Sequence, residues 1–470
     1  MRQPLVIFGR AAGLAALGFA GALAAAEPAL PAGLGAPAAP QPATEPALPM
    51  GLAAPADAPP RLAQPAGQRL PEGLSGFWEA RGGTRLQSDP YEKASSIGET
   101  RLQIQYEKAG DRVAVKVVSD FLYDPVLNEP SIDLDRGEGA IDLRQANVLL
   151  RPASFLDLKL GRQINTWGNG DMLFINDLFP KDWNACFIGR DDEYLKAPSD
   201  GAKAALFSEW VNLDLFYAPR FDSDRFIDGE RISYWNAGLG RRAGRDAPVD
   251  ADRPDDPFGD DEWAARLYRS LGTCEVALYG YDGFWKSPGG SDPLRGVALF
   301  PRLQAAGASA RGPFGRGILS LETGWYRSLD DRDGTDPMIN NGEVRYLVGY
   351  EQELLRELTG GFQYYVENLQ DYSAYRDTLP DGLAARDEFR HVLTLRLTKL
   401  LFNQNLNLGL FLYWSPSDHD AFIRPKVNYK LDDHWIVELG GNLFIGADDH
   451  TFFGQFERNN NLYASVRYGF

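Results

Sequence analysis

The chain has 470 residues, with 65 Asp and Glu against 48 Lys and Arg, a formal charge of −17, 44% hydrophobic residues, 2 Cys and 4 His. So acidic a balance excludes the basic phosphate footprint of a nucleic-acid-binding domain. Two cysteines make no disulfide framework and four scattered histidines no metal or haem cage, so no cofactor is expected.

Arg2 and Arg10 precede a small, apolar run over 11–23, and Ala24, Ala25 and Ala26 supply the small residues of a cleavage site. This pattern predicts a secretory signal removed near Ala26, too short for a permanent span. Residues 27–74 hold 12 of the 31 prolines and few aromatic or β-branched residues. Such a segment cannot bury enough surface to offset its chain entropy and predicts an extended tether on the periplasmic side. Leu-Pro-x-Gly-Leu occurs in it three times, at 30–34, 48–52 and 70–74. Two readings stand: duplication of low-complexity sequence, or docking of a periplasmic exporter component whose effective concentration the repeats raise. No later run of 18 strongly apolar residues offers a transmembrane helix.

From Phe77 onward the hydrophobic period is two. Thr100, Leu102, Ile104 and Tyr106 alternate with Glu99, Arg101, Gln103, Gln105 and Glu107. Leu406, Leu408, Leu410 and Leu412 alternate with Asn405, Asn407, Gly409 and Phe411. Each pattern is a strand with one apolar and one polar side. The periodicity predicts strands at 76–87, 96–107, 112–122, 140–151, 156–167, 200–208, 211–218, 262–270, 273–283, 297–310, 316–327, 342–352, 361–368, 388–398, 404–414, 420–430, 435–446 and 457–470.

The connections alternate between short turns, such as 108–111, 151–155, 271–273 and 431–434, and long segments after Trp167 and Pro219. Short turns on one rim, long loops on the other and an even strand count predict an all-β fold: a transmembrane antiparallel up-and-down barrel over 75–470. Eighteen strands are expected, sixteen being the alternative, with both ends on the short-turn, periplasmic rim. Lipid demands closure, because every strand amide must be satisfied within the protein. Leu462, Ala464, Val466, Tyr468 and Phe470 form the last apolar face. Tyr468 and Phe470 resemble the carboxy-terminal assembly signal of outer-membrane barrels. That resemblance implies the barrel-assembly machinery as a partner, outer-membrane lipid and lipopolysaccharide as surroundings, and a Gram-negative outer membrane as location.

The alternate face defines the lumen. Its expected lining includes Arg101, Lys116, Arg144, Lys159, Gln163, Glu343, Arg345, Arg390, Arg396, Arg424 and Lys426. Most of these charges are expected to pair across neighbouring strands. Arg390, Arg396, Arg424 and Lys426, on adjacent predicted strands, offer a second reading as a basic ladder for an anionic solute. The interior of so wide a barrel exceeds what side chains fill. The segment after Trp167 stays apolar through Met172, Leu173, Phe174, Ile175, Leu178, Phe179, Trp183 and Phe187. An apolar connection of that length needs a burial site. We expect residues 168–199 to fold into the barrel mouth as a constriction or lid carried by Trp167, Asp171, Phe174, Asp177, Phe179, Lys181 and Trp183; the rival is a patch that binds a partner or lipid.

Gly161-Arg162-Gln163, Trp167-Gly168 and the final Phe470 together resemble outer-membrane porin-like families, including the alginate-export group and uncharacterised proteobacterial barrels. The resemblance implies a channel and, by analogy of fold alone, polymer export. The acidic runs at 250–261 and 330–336 read as solvated loops without the spacing of a calcium loop. No Gly-x-Ser-x-Gly or His-Glu-x-x-His phrase accompanies His391, His419, His434 or His450, so an enzyme is not expected. Cys186 in a long loop and Cys274 at the opposite rim should lie too far apart for a disulfide. Two classes of function follow: a channel for solutes or an exported amphiphile or polymer, and a structural sheath around a periplasmic exporter or redox partner.

Overall fold

A computed structural model describes residues 70–127 and 131–470. The expected export signal, most of the expected tether and the first two Leu-Pro-x-Gly-Leu copies lie outside the described residues. The third copy is a tight turn: Gly73 has φ +85° and the Leu74 amide donates to the Pro71 carbonyl at 3.0 Å. Gly73 also accepts from the Glu107 amide at 2.8 Å, so the repeat phrase starts the first strand here.

Among the described residues, eighteen strands form one sheet. They are β1 Leu74–Arg85, β2 Ser95–Ala109, β3 Val113–Tyr123, β4 Ile141–Ala153, β5 Leu156–Gln163 and β6 Ser199–Leu206. There follow β7 Asn212–Ala218, β8 Glu262–Leu271, β9 Cys274–Phe284, β10 Arg302–Phe314, β11 Gly317–Ser328 and β12 Glu343–Leu355. The last are β13 Leu358–Leu369, β14 Phe389–Leu401, β15 Leu406–Ser415, β16 Asp420–Lys430, β17 Trp435–Gly446 and β18 Asn461–Gly469. Each strand pairs antiparallel with the next, and β18 pairs with β1 from Phe77↔Gly469 to Arg85↔Asn461. Gly76 and Phe470 exchange backbone hydrogen bonds at 3.0 and 3.1 Å, which seals the seam at the short-turn rim. The sheet is therefore a closed barrel with no free edge.

All eighteen expected strands are present, and the differences at their ends have local causes. The fifth stops at Gln163 rather than 167, because the chain turns inward and buries Trp167 against Phe179. The tenth starts at Arg302 rather than 297: Pro301 has no amide to donate, and Val297–Leu299 instead joins Gly290–Asp292 in a small sheet at the mouth. The last starts at Asn461 because Gly454–Asn459 forms a 3₁₀ turn.

Leu278, Leu321, Val348, Leu439 and Leu462 stand exposed on the outer face. Toward the long-loop rim this apolar band ends at Tyr123, Trp263, Trp325, Phe389 and Trp414, and toward the short-turn rim at Phe155, Trp210, Phe314, Phe402 and Trp435. His391 also lies on the outer face, stacked on Tyr364 with ring centroids 6.0 Å apart. Both cysteines are free, Cys186 buried and Cys274 exposed.

Candidate functional site: a loop folded into the lumen

The segment between β5 and β6, residues 164–198, runs inside the barrel. Helix α1, Trp183–Ile188, starts where the Asp182 side chain accepts from the Ala185 amide at 2.7 Å and stops at Gly189, whose φ of 86° only glycine adopts freely. Its Phe187 sits among Phe422, Phe444, Phe453 and Phe456, with ring centroids 5.1 to 6.1 Å away. That aromatic cluster gives the apolar run of the loop the burial it requires.

Three polar zones fasten the loop to the wall. On β11–β14, Glu322 accepts from the Asn169 and Asn176 amides at 2.7 and 2.9 Å, and Arg396 donates to Asp171 at 2.7 Å. In the mouth, Asp224 accepts from the Lys181 amide at 2.7 Å, while Arg225 donates to Asp142 of β4 at 2.8 Å and to Asp182 at 3.3 Å. The third zone spans β1–β4 and β16–β18. Arg190 pairs with Glu99 at 2.7 Å, Asp191 with Arg467 at 3.1 Å, and Asp192 with Arg424 and Lys426 at 2.6 and 3.3 Å. Tyr194 is held between the guanidinium groups of Arg101 and Arg144, 4.2 and 4.7 Å from its ring, and its hydroxyl donates to Asp120 at 2.8 Å.

Of the expected constriction residues, Trp167 and Phe179 meet edge to face at 4.9 Å, and Phe174 and Trp183 at 5.9 Å. Lys181 lies 4.6 Å from the Phe174 ring and 3.1 Å from the Asp177 carboxylate. Asp171 lies apart from these, on Arg396. All seven are buried or half-buried.

Every expected lining residue is on the inward register, but several are roofed rather than wet. Arg101 and Arg144 lie under Tyr194, and Glu343 is buried between Arg345 and Arg386, 2.7 and 2.8 Å away. Gln163 is buried, its amide donating to the Gly201 carbonyl at 3.1 Å. Lys116 pairs with Glu107 at 3.6 Å, and Lys159 stands directly opposite Lys203. Arg390 pairs with Asp418. The four residues do not form the expected ladder on adjacent strands. Arg390 and Arg396 are on β14, Arg424 and Lys426 on β16, and β15 separates them. Arg396, Arg424 and Lys426 are moreover occupied by loop carboxylates. Sequence reasoning missed Tyr194, Asp191, Asp192 and Arg225 as fasteners. The run Asp191-Asp192-Glu193-Tyr194, directly after the loop's apolar stretch, was the available signal for the first three; Arg225 offered none.

Three mouth carboxyls are pushed up to about 7: Glu92, Glu138 and Asp222. Burial is the leading cause for each, and the Glu262 carboxylate adds to it at Asp222. An acid whose folded-state pKa exceeds its unfolded value near 4 binds its proton more tightly in the folded loop, so its contribution to stability falls as pH rises from about 4 to 7. We therefore expect protease cleavage within 219–261 to slow as pH is lowered from 8 to 5. Asp222→Asn should flatten that dependence; a steep profile unchanged by the substitution would remove Asp222 from the account.

No family model matches the chain, and no curated protein does. Solved structures of similar fold include OccAB1 of Acinetobacter baumannii, at 10% identity over 84% of this chain and 95% of that one, TM-score 0.48. OccK11 (OpdR) of Pseudomonas aeruginosa is 12% identical over 84% and 95%, TM-score 0.47. OccK10 (OpdN) of the same organism is 14% identical over 85% and 99%, TM-score 0.44.

Proposed function

We propose that this protein is an outer-membrane channel for small solutes, with residues 164–198 as its constriction. The observation that carries this reading is a closed barrel, apolar outside and charged inside, whose lumen is crossed by one of its own loops. Here Arg396, Arg424, Lys426 and Arg467 line one side of the passage and the loop presents Asp171, Asp191 and Asp192 to them. Cations on the wall and carboxylates on the loop give the passage mixed charge, which suits small polar solutes of either sign. Export of a polymer or amphiphile, the finer reading drawn from the alginate-export resemblance, would require the loop to leave its aromatic cluster and its ion pairs together.

Planar-bilayer recording tests the reading. The purified, folded protein should give stable currents, and Asp191→Asn with Asp192→Asn should shift the reversal potential in a salt gradient toward anions, by leaving Arg424 without its carboxylate and Lys426 and Arg467 with only Glu438 and Glu79, 3.8 and 2.9 Å away. Silence of the folded protein at every voltage, together with co-purification of a periplasmic partner, would favour the sheath instead.

A further inference from the structure

Glu322 of β11 is a buried carboxylate with an unusual set of partners. Its Oε2 accepts from the Asn169 amide at 2.7 Å, and its Oε1 accepts from the Asn176 amide and the Asn176 Nδ2 group, both at 2.9 Å. Among the described residues it forms no ion pair. One wall carboxylate thus gathers two backbone positions seven residues apart, and the stretch between them is drawn into a closed bend.

The wall around it is shaped to receive that bend. Gly324 and Gly307 are direct cross-strand partners on β11 and β10. A Cβ at Gly324 would lie 2.7 Å from Ile175 Cγ2, and one at Gly307 would overlap Asn176 Oδ1. The Tyr326 hydroxyl donates to the Ile175 carbonyl, and Asn176 Nδ2 donates to the Thr323 carbonyl at 3.1 Å. On the loop side, Gly168 has φ +82°, and a Cβ there would come within 2.8 Å of Glu322 Oε1. Inside the bend Met172 has φ 59°, a left-handed conformation that an L side chain adopts only when its surroundings enforce it. The preceding residue is Asp171, whose amide donates to Gln363 Oε1 at 2.9 Å and whose carboxylate meets Arg396.

We propose that Glu322 is the positioning residue of the constriction: by cinching residues 169–176 it presents Asp171 to Arg396 and so sets both the width and the charge of the passage. This rests on the channel reading for its function but on the cinch itself for its geometry, and the two fail separately. Charge-assisted acceptance by both oxygens is what a carboxylate supplies. Glutamine is nearly isosteric, yet it turns an NH₂ group toward one of the two donors.

The test uses the full-length protein with Cys186→Ala and Cys274→Ser, and Leu173→Cys as a reporter within the bend. Leu173 is 6% exposed, so alkylation of the reporter by a water-soluble maleimide should be slow. Glu322→Gln should speed it about tenfold or more and move ion selectivity toward anions as Arg396 loses Asp171, whereas Glu322→Asp should keep part of both properties. Gly324→Val, which places a β-favouring side chain in the recess, reaches the same end without touching the carboxylate, and heat-modifiable mobility shows that each barrel has folded. Alkylation and selectivity unchanged in both Glu322→Gln and Gly324→Val would overturn the proposal. Faster alkylation with no current from any form would uphold the cinch and remove the channel.

Discussion

Replacement of residues 168–196 by a short Gly-Ser linker should raise the single-channel conductance severalfold and abolish most of the ion selectivity contributed by Asp171, Asp191 and Asp192. The barrel wall does not depend on that segment: β5 and β6 pair from Leu156↔Leu206 to Gln163↔Ser199, so a linker has only to span neighbouring strand ends. The loop's own fastenings are to side chains and carbonyls that face the lumen, not to the ladder that closes the sheet. Without it, an eighteen-strand interior is wider than its own side chains can fill, and water takes the vacated volume. Buried carboxylates and guanidinium groups that now face the loop would hydrate rather than remain unpaired. A folded, heat-modifiable barrel whose conductance matched that of the intact protein would show that the loop does not limit passage.

Arg225→Met should release the mouth without unfolding the wall. Arg225 is 3% exposed and donates to both oxygens of Asp142, at 2.8 and 3.1 Å, and to Asp182 at 3.3 Å. Its loss leaves Asp142 and Asp182 with only distant cations, Arg144 at 3.9 Å and Arg190 at 4.0 Å, and breaking a buried pair costs about 3–5 kcal/mol. The energy falls on the least independent element, the loop around α1, because β4 stays paired with β3 from Ile141 to Leu150 and with β5 from Ala146 to Ala153. Cys186 on α1 reports the result. It is 2% exposed and burial pushes its thiol up to about 11, so it should react slowly in the parent protein. In a Cys274→Ser background, Arg225→Met should raise its alkylation rate by roughly two to three powers of ten, about tenfold for each 1.4 kcal/mol. Adding Asp142→Leu should recover much of the protection, since the stranded carboxylate is then gone. An unaltered rate in the single variant would show that the aromatic cluster around Phe187 holds α1 without help from the charges.

The alternation of apolar and polar residues located all eighteen strands, because a strand that separates two solvents must place one kind of side chain on each side, and that constraint is written residue by residue. The rims were legible for the same local reason: a two-residue connection such as 272–273 cannot be confused with 219–261. The inward fold of 164–198 was legible too, since no aqueous loop would carry so many large apolar residues unburied. Errors came where a local feature competed with the period, as at Pro301 and after Gln163.

The pairing inside the lumen was not legible. Asp171 and Arg396 are separated by 225 residues, and Asp192 and Lys426 by 234. Nothing near either partner specifies the other. Alternation alone said that Arg396, Arg424 and Lys426 face inward and left open whether they pair along the wall or form a ladder for solute; closure of the barrel brought a loop across them and filled those sites with carboxylates. Glu322 and Arg225 look like ordinary charges in the sequence, one on a strand and one in a loop. The amino-acid order by itself determined the wall, its two faces and its two rims, because hydrogen bonding between neighbouring strands and contact with solvent act over a few residues. Tertiary structure alone decided which wall and loop charges pair and which remain exposed in the lumen, because those depend on segments that meet only when the cylinder has closed around them.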